Sequence, residues 1–148
     1  MTLLSWVRRI AERLRGRTMR PGGRRGIGHD WEREAERALV AARYRILERN
    51  FRTPRGEIDL IAEESGTLCF VEVRGRSGPA FGSAAESVTL EKQRRIRRTA
   101  EAYLARAGGA GRRCRFDVVC IEAGAAEPSR RITILRGAFE DPPPPRRS

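Results

Sequence analysis

Apolar residues recur along this chain with two periods, one helical and one strand-like, and their order sketches a single domain. In residues 2–15, Leu3, Val7, Ile10 and Leu14 form one stripe ringed by Arg8, Arg9, Arg13 and Arg15, the mark of a short amphipathic helix. Residues 16–28 are rich in Gly and Arg and read as a flexible basic linker. Asp30 is the expected N-cap of a helix reaching Ala42, with Trp31, Ala35, Ala38 and Ala42 on its inner stripe and Leu39 beside it. Strands are expected at residues 44–51, 57–63 and 67–74, joined by the turn signals Thr53-Pro54-Arg55-Gly56 and Ser65-Gly66. A loop through residues 75–87 leads to a long helix over 88–107, stopped by Gly108-Gly109. Two further strands are expected at 115–121 and 131–135, and a proline-rich tail at 142–148 is expected to be disordered. The order α-β-β-β-α-β-β predicts an α/β fold, a mixed sheet flanked by helices. The expected units are a basic helix and linker at 1–28, one domain at 29–140 and the tail at 141–148.

Composition narrows the function classes. No apolar run approaches the ~20 residues of a membrane span, and the N-terminal apolar stretch is too short and too soon broken by arginine for a secretory signal. The three cysteines, Cys69, Cys114 and Cys120, lack metal-ligand spacing and read as reduced thiols of a cytoplasmic protein. The net charge is +12, of which residues 1–28 carry +7 through eight arginines set against Glu12. A surface of that sign suits a polyanion, either nucleic acid or an anionic membrane face met by the first helix, or else the tail is simply solvated. Of 31 basic residues, 30 are arginine and only Lys92 is lysine. A GC-rich genome explains the bias. A position that stays lysine under it has either survived by chance or needs a compact ammonium that arginine does not supply.

Two acids stand inside apolar strands. Asp59 lies in Glu57-Ile58-Asp59-Leu60-Ile61, and Glu72 in Phe70-Val71-Glu72-Val73-Arg74. Strict alternation places Asp59 on one face, with Ile58 and Leu60 on the other, and aligns Phe70, Glu72 and Arg74. A hairpin through Ser65-Gly66 brings the two acids together. A divalent cation relieves their repulsion, and a hard ion such as Mg²⁺ takes oxygen ligands and activates water. The ordinary alternative is a solvated sheet face on which Glu72 pairs with Arg74 or Arg76. Lys92 falls on the stripe of Ile96, Ala100, Tyr103 and Ala107, so it points toward the sheet. There it either reaches the carboxylates or snorkels at the core edge. Asp117 is expected to play a structural part, capping or pairing with Arg115.

An acid, a hairpin turn and then acid-x-basic is the pattern of the PD-(D/E)xK nuclease superfamily. A closer resemblance, to the YraN family of bacterial proteins, rests on several motifs together. They are Glu32-x-x-Ala35-x-x-x-Leu39, Tyr44-x-Ile46-Leu47, Asn50-Phe51-Arg52, residues 56–61 and 70–76, Lys92-Gln93, Arg115-Phe116-Asp117-Val118-Val119 and Ala138-Phe139. The resemblance spans roughly residues 29–140 and implies a restriction-endonuclease-like, Holliday-junction-resolvase-like fold that binds nucleic acid. By position, Asp59 and Glu72 would ligate Mg²⁺ or Mn²⁺. Glu32 would assist as a third acid, or else serve only as a first-turn acid facing the helix dipole. Arg74 and Lys92 complete the expected catalytic set, and Arg52, Arg76 and Gln93 are the expected nucleic-acid contacts. Three positions depart from the family pattern: Trp31 and Arg43 stand where many relatives have glycine, and Arg74 where the superfamily has lysine. Arginine hardly deprotonates, which removes a general base from that position; we expect Lys92 to take over its role. The expected activity is a metal-dependent DNA endonuclease acting on branched or damaged DNA, with a homodimer as the resemblance to resolvase folds allows. The alternative is a catalytically inactive DNA-binding module on a nuclease fold.

Overall fold

The computed structural model describes residues 27–76, 88–109, 111–123 and 130–139. The first amphipathic helix, the linker ahead of Ile27, most of the loop before the long helix and the proline-rich tail lie outside the described residues. Within them the expected order holds: α1 (Ile27–Ala41), β1 (Arg45–Thr53), β2 (Gly56–Glu64), β3 (Thr67–Arg76), α2 (Leu90–Ala107), β4 (Cys114–Ala123) and β5 (Arg130–Phe139). The strands form one sheet in the order β1-β2-β3-β4-β5, antiparallel throughout except for the parallel pair β3–β4. That parallel pair is the one joined by a long crossover, which carries α2. Among the described residues, no helix is long and apolar enough to cross a membrane.

The sheet is covered on both faces. Ile96, Ala100 and Tyr103 of α2 pack on Phe51, Ile58, Ile61, Leu68, Phe70, Phe116 and Val118. Ala35 and Leu39 of α1 pack on Tyr44, Leu60, Ala62, Cys69, Val71, Val119 and Ile121. Central strands buried on both sides explain the near-continuous apolar runs in β2, β3 and β4. Cys69 and Cys120 are buried and Cys114 is half-buried.

Element ends differ from expectation in physically readable ways. α1 begins at Ile27, ahead of Asp30; an N-cap residue and a first-turn acid carry the same local signal. α2 begins at Leu90 rather than at Val88, because Thr89 caps it by accepting from the Lys92 N–H at 3.2 Å. β5 runs on to Phe139, past the expected end at Leu135, because Gly137 (φ 61°) forms a bulge. The β4–β5 register shifts between Phe116 and Val118, and the Gly137 N–H donates to Asp117 at 2.9 Å. Asp117 is fully buried and also accepts from Tyr44 Oη at 2.9 Å and from Arg115 Nε at 2.8 Å. It is therefore a structural acid that ties β4 to β1 and β5.

Trp31 is placed by a neighbour that has no side chain. A Cβ added at Gly75 would fall 1.6 Å from the Trp31 ring, so the indole lies directly on the β3 backbone. Gly75→Ala is expected to cost about 1–3 kcal/mol of stability through overpacking. Urea unfolding checks this, and the cost is expected to shrink in a Trp31→Gly background, where the colliding ring is gone.

Candidate functional site

The sheet forks where the two unexpected acids lie. β2 and β3 pair from Glu64↔Thr67 as far as Leu60↔Val71. Beyond that point β2 follows β1, through Phe51↔Ile58 and Thr53↔Gly56. β3 instead follows β4, through Glu72↔Val118 as far as Arg76↔Glu122. The prongs lean on opposite helices: Gly56 lies against Thr99 and Arg95 of α2, and Gly75 lies under Trp31 of α1. Asp59 and Glu72 sit at the crotch of this fork. The Val73 N–H donates to Asp59 Oδ2 at 2.8 Å, so a side chain supplies an acceptor just where the β2–β3 ladder stops.

The fork corrects the alternation expected around Asp59. Ile58 and Leu60 do not share a face: Ile58 packs in the α2 layer and Leu60 in the α1 layer. β1 changes face at the same level, since Arg49 binds Glu36 of α1 while Phe51 meets Tyr103 of α2. Asn50, between the pairs Arg49↔Leu60 and Phe51↔Ile58, adopts the left-handed conformation with φ 49°. A kink at Asn50 and Asp59 thus breaks the two-residue period in both strands and turns Asp59 toward β3. Asn50 was absent from the expected site. Its one sequence signal is an asparagine inside a strand, a residue type that tolerates positive φ.

Glu72 is only 5% exposed. Lys92 Nζ stands 2.5 Å from its Oε1, and Arg74 Nε lies 3.5 Å from the same oxygen. Lys92 therefore reaches Glu72 from α2, on the sheet side that its stripe predicts. Burial raises the Asp59 carboxyl to about 8, and the neighbouring Glu72 charge adds to the rise. The Val73 N–H opposes the shift, and the Glu32 charge contributes in the raising direction. Glu32 on α1 is thus within electrostatic reach of Asp59. A half-buried Asp59 beside a buried Glu72 is a pair of oxygen donors that would suit a hard divalent cation. Among the described residues, no group of three or more His, Cys, Asp or Glu side chains has an arrangement that could hold a metal. Two carboxyls alone make no closed protein cage; an ion held there would have to keep several of its own waters.

The three expected nucleic-acid contacts are not gathered around this site in the same way. Arg52 is exposed on β1 and pairs with Glu57 at 3.2 Å. Gln93 donates from Nε2 to the Val88 carbonyl at 3.0 Å and so braces the start of α2. Arg76 ends β3 opposite Glu122, and its side chain lies outside the described residues.

Comparison with known proteins agrees with the resemblance read from the motifs. The family model described as "Uncharacterised protein family UPF0102" matches residues 31–121. A UPF0102 protein of Bordetella avium (strain 197N) is 46% identical over 136 residues, covering 92% of this chain and 90% of that protein. A UPF0102 protein of Moorella thermoacetica is 45% identical over 116 residues, 78% of this chain and 97% of its own length. One from Symbiobacterium thermophilum is 46% identical over 115 residues, again 78% and 97%. The chain belongs to this family, UPF0102, which is the YraN family.

Proposed function

We propose that this protein is a divalent-metal-dependent endonuclease that hydrolyses phosphodiester bonds in DNA. The observation that carries the reading is the pair of half-buried Asp59 and buried Glu72 at the fork, with Lys92 and Arg74 beside Glu72. Asp59 and Glu72 would hold the cation, with Glu32 adding negative field from α1. Mg²⁺ or Mn²⁺, when bound, would supply an activated water and neutralise charge on the phosphate. Hydrolysis there would join the water oxygen to phosphorus and break the bond to the sugar oxygen, which would take up the proton that the water gives up. Arg74 cannot act as a base, so its contribution is to steady the pentacovalent charge. Lys92 brings a second cation to the same place from the helix. Arg52, Arg76 and Gln93 would contact the flanking backbone. A second reading, a DNA-binding module without catalysis, draws its support from Arg74 in the place of the superfamily lysine.

The test is incubation with linear, nicked, flapped and four-way DNA in Mn²⁺, comparing the wild type with Asp59→Ala. Cleavage of at least one substrate, lowered about 10³-fold or more in the variant, is the expected result, since several kcal/mol of transition-state stabilisation depends on the cation. DNA binding without cleavage in either protein would favour the second reading.

A further inference from the structure

The Glu72 carboxylate cannot serve Lys92 and a metal in the same way at once. Lys92 Nζ holds Oε1 at 2.5 Å, the range of direct ionic contact. A Mg²⁺ ligated by that oxygen sits about 2.1 Å from it and arrives with a shell of waters. An ammonium and a dication packed against one oxygen would repel strongly in a site this buried. The two carboxylates cannot offset that extra charge, because Arg74 already faces Glu72. Lys92 also has room to leave. Its side chain is 39% exposed against 6% for Glu72, and a four-carbon stem swings freely.

We propose that Lys92 and the divalent cation are mutually exclusive partners of Glu72 Oε1. Lys92 neutralises the site in the metal-free protein and is released when the metal binds, which turns its ammonium outward to the substrate phosphate. The proposal rests on the metal-site reading above and adds an order of events to it. It also gives a reason for this position to be lysine: a guanidinium would hold the carboxylate with two N–H donors and yield it less readily.

The chain has one lysine, so ¹³C,¹⁵N-lysine labelling of the full-length protein reports this side chain alone. The Lys92 Cε and Nζ resonances would be followed through a Mg²⁺ titration, with calorimetry on the same sample. The expected result is a shift of both resonances with the midpoint of the binding heat, and loss of shift and heat together in Asp59→Asn. An Asp59-dependent heat with unmoved Lys92 resonances would overturn the proposal and leave the metal site standing. If the wild type gives no heat, Lys92→Met decides. Mg²⁺ binding that appears there, tighter by about tenfold or more, supports displacement by showing the competitor removed. Silence in both proteins would overturn the proposal and the metal site alike.

Discussion

In the absence of divalent metal, Asp59→Asn is expected to stabilise this protein at pH 8, although it removes the residue on which the proposed activity depends. The folded-state carboxyl is raised to about 8 by burial and by Glu72, against an ordinary value near 3.8. Between those two values the folded chain binds more protons than the unfolded chain. Stability therefore falls as pH climbs from about 4 to about 8, and levels off above. Each unit of separation is worth about 1.4 kcal/mol. Lys92 and Arg74, facing Glu72, offset part of the repulsion, so the expected gain in the Asn variant is about 1–3 kcal/mol at pH 8. Asparagine keeps an acceptor for the Val73 N–H, so the strand contact survives. Urea unfolding in EDTA across pH 5–9 checks this: the wild-type slope should be absent in the variant. Mg²⁺ at about a thousand times its Kd should reverse the order at pH 8, raising wild-type stability by about 4.1 kcal/mol and leaving the variant unmoved.

Asp117→Ala is expected to cause the largest loss of stability, about 3–5 kcal/mol, without touching the fork. The fully buried carboxylate accepts from Arg115, Tyr44 and the Gly137 N–H, and Arg115 in turn reaches Glu64 at 2.5 Å. Alanine would leave the Tyr44 hydroxyl and the bulged Gly137 N–H without their acceptor and would strip Arg115 of one of its two carboxylate partners, and each loss adds to the cost. A thermal midpoint lowered by roughly 10 °C or more follows for a domain of this size. At a temperature where the variant is folded, Mn²⁺ binding should match the wild type. A loss of under 1 kcal/mol would contradict the structural role.

Much of this architecture was legible in residue order. The hairpin β2–β3 follows from Ser65-Gly66 between two apolar runs, and Lys92 stands out because arginine fills each of the other 30 lysine-or-arginine positions. Its stripe with Ile96, Ala100 and Tyr103 aimed it at the sheet, where it meets Glu72. The fork was not legible. Period-two alternation assumes a flat strand, and the break at Asp59 depends on Asn50 entering the left-handed region on the neighbouring strand. That choice is made by which strand each prong follows, a long-range matter that no local window contains. The length of β5 was missed for a similar reason. Gly137 reads as a strand end until Asp117, on a strand formed earlier in the chain, is seen to take its N–H.

The Trp31–Gly75 contact shows how a large ring is seated between α1 and the sheet. An indole on α1 fits only because the strand beneath it carries no Cβ. Trp31 immediately precedes Glu32, so this packing also fixes the turn of α1 that carries Glu32.

Calorimetric titration of Mn²⁺ into the wild type and into Asp59→Ala at pH 8 tests the central claim most directly. A binding isotherm in the wild type that disappears in the variant is the predicted result. An isotherm unchanged by Asp59→Ala would contradict the claim, because it would place the cation away from the fork.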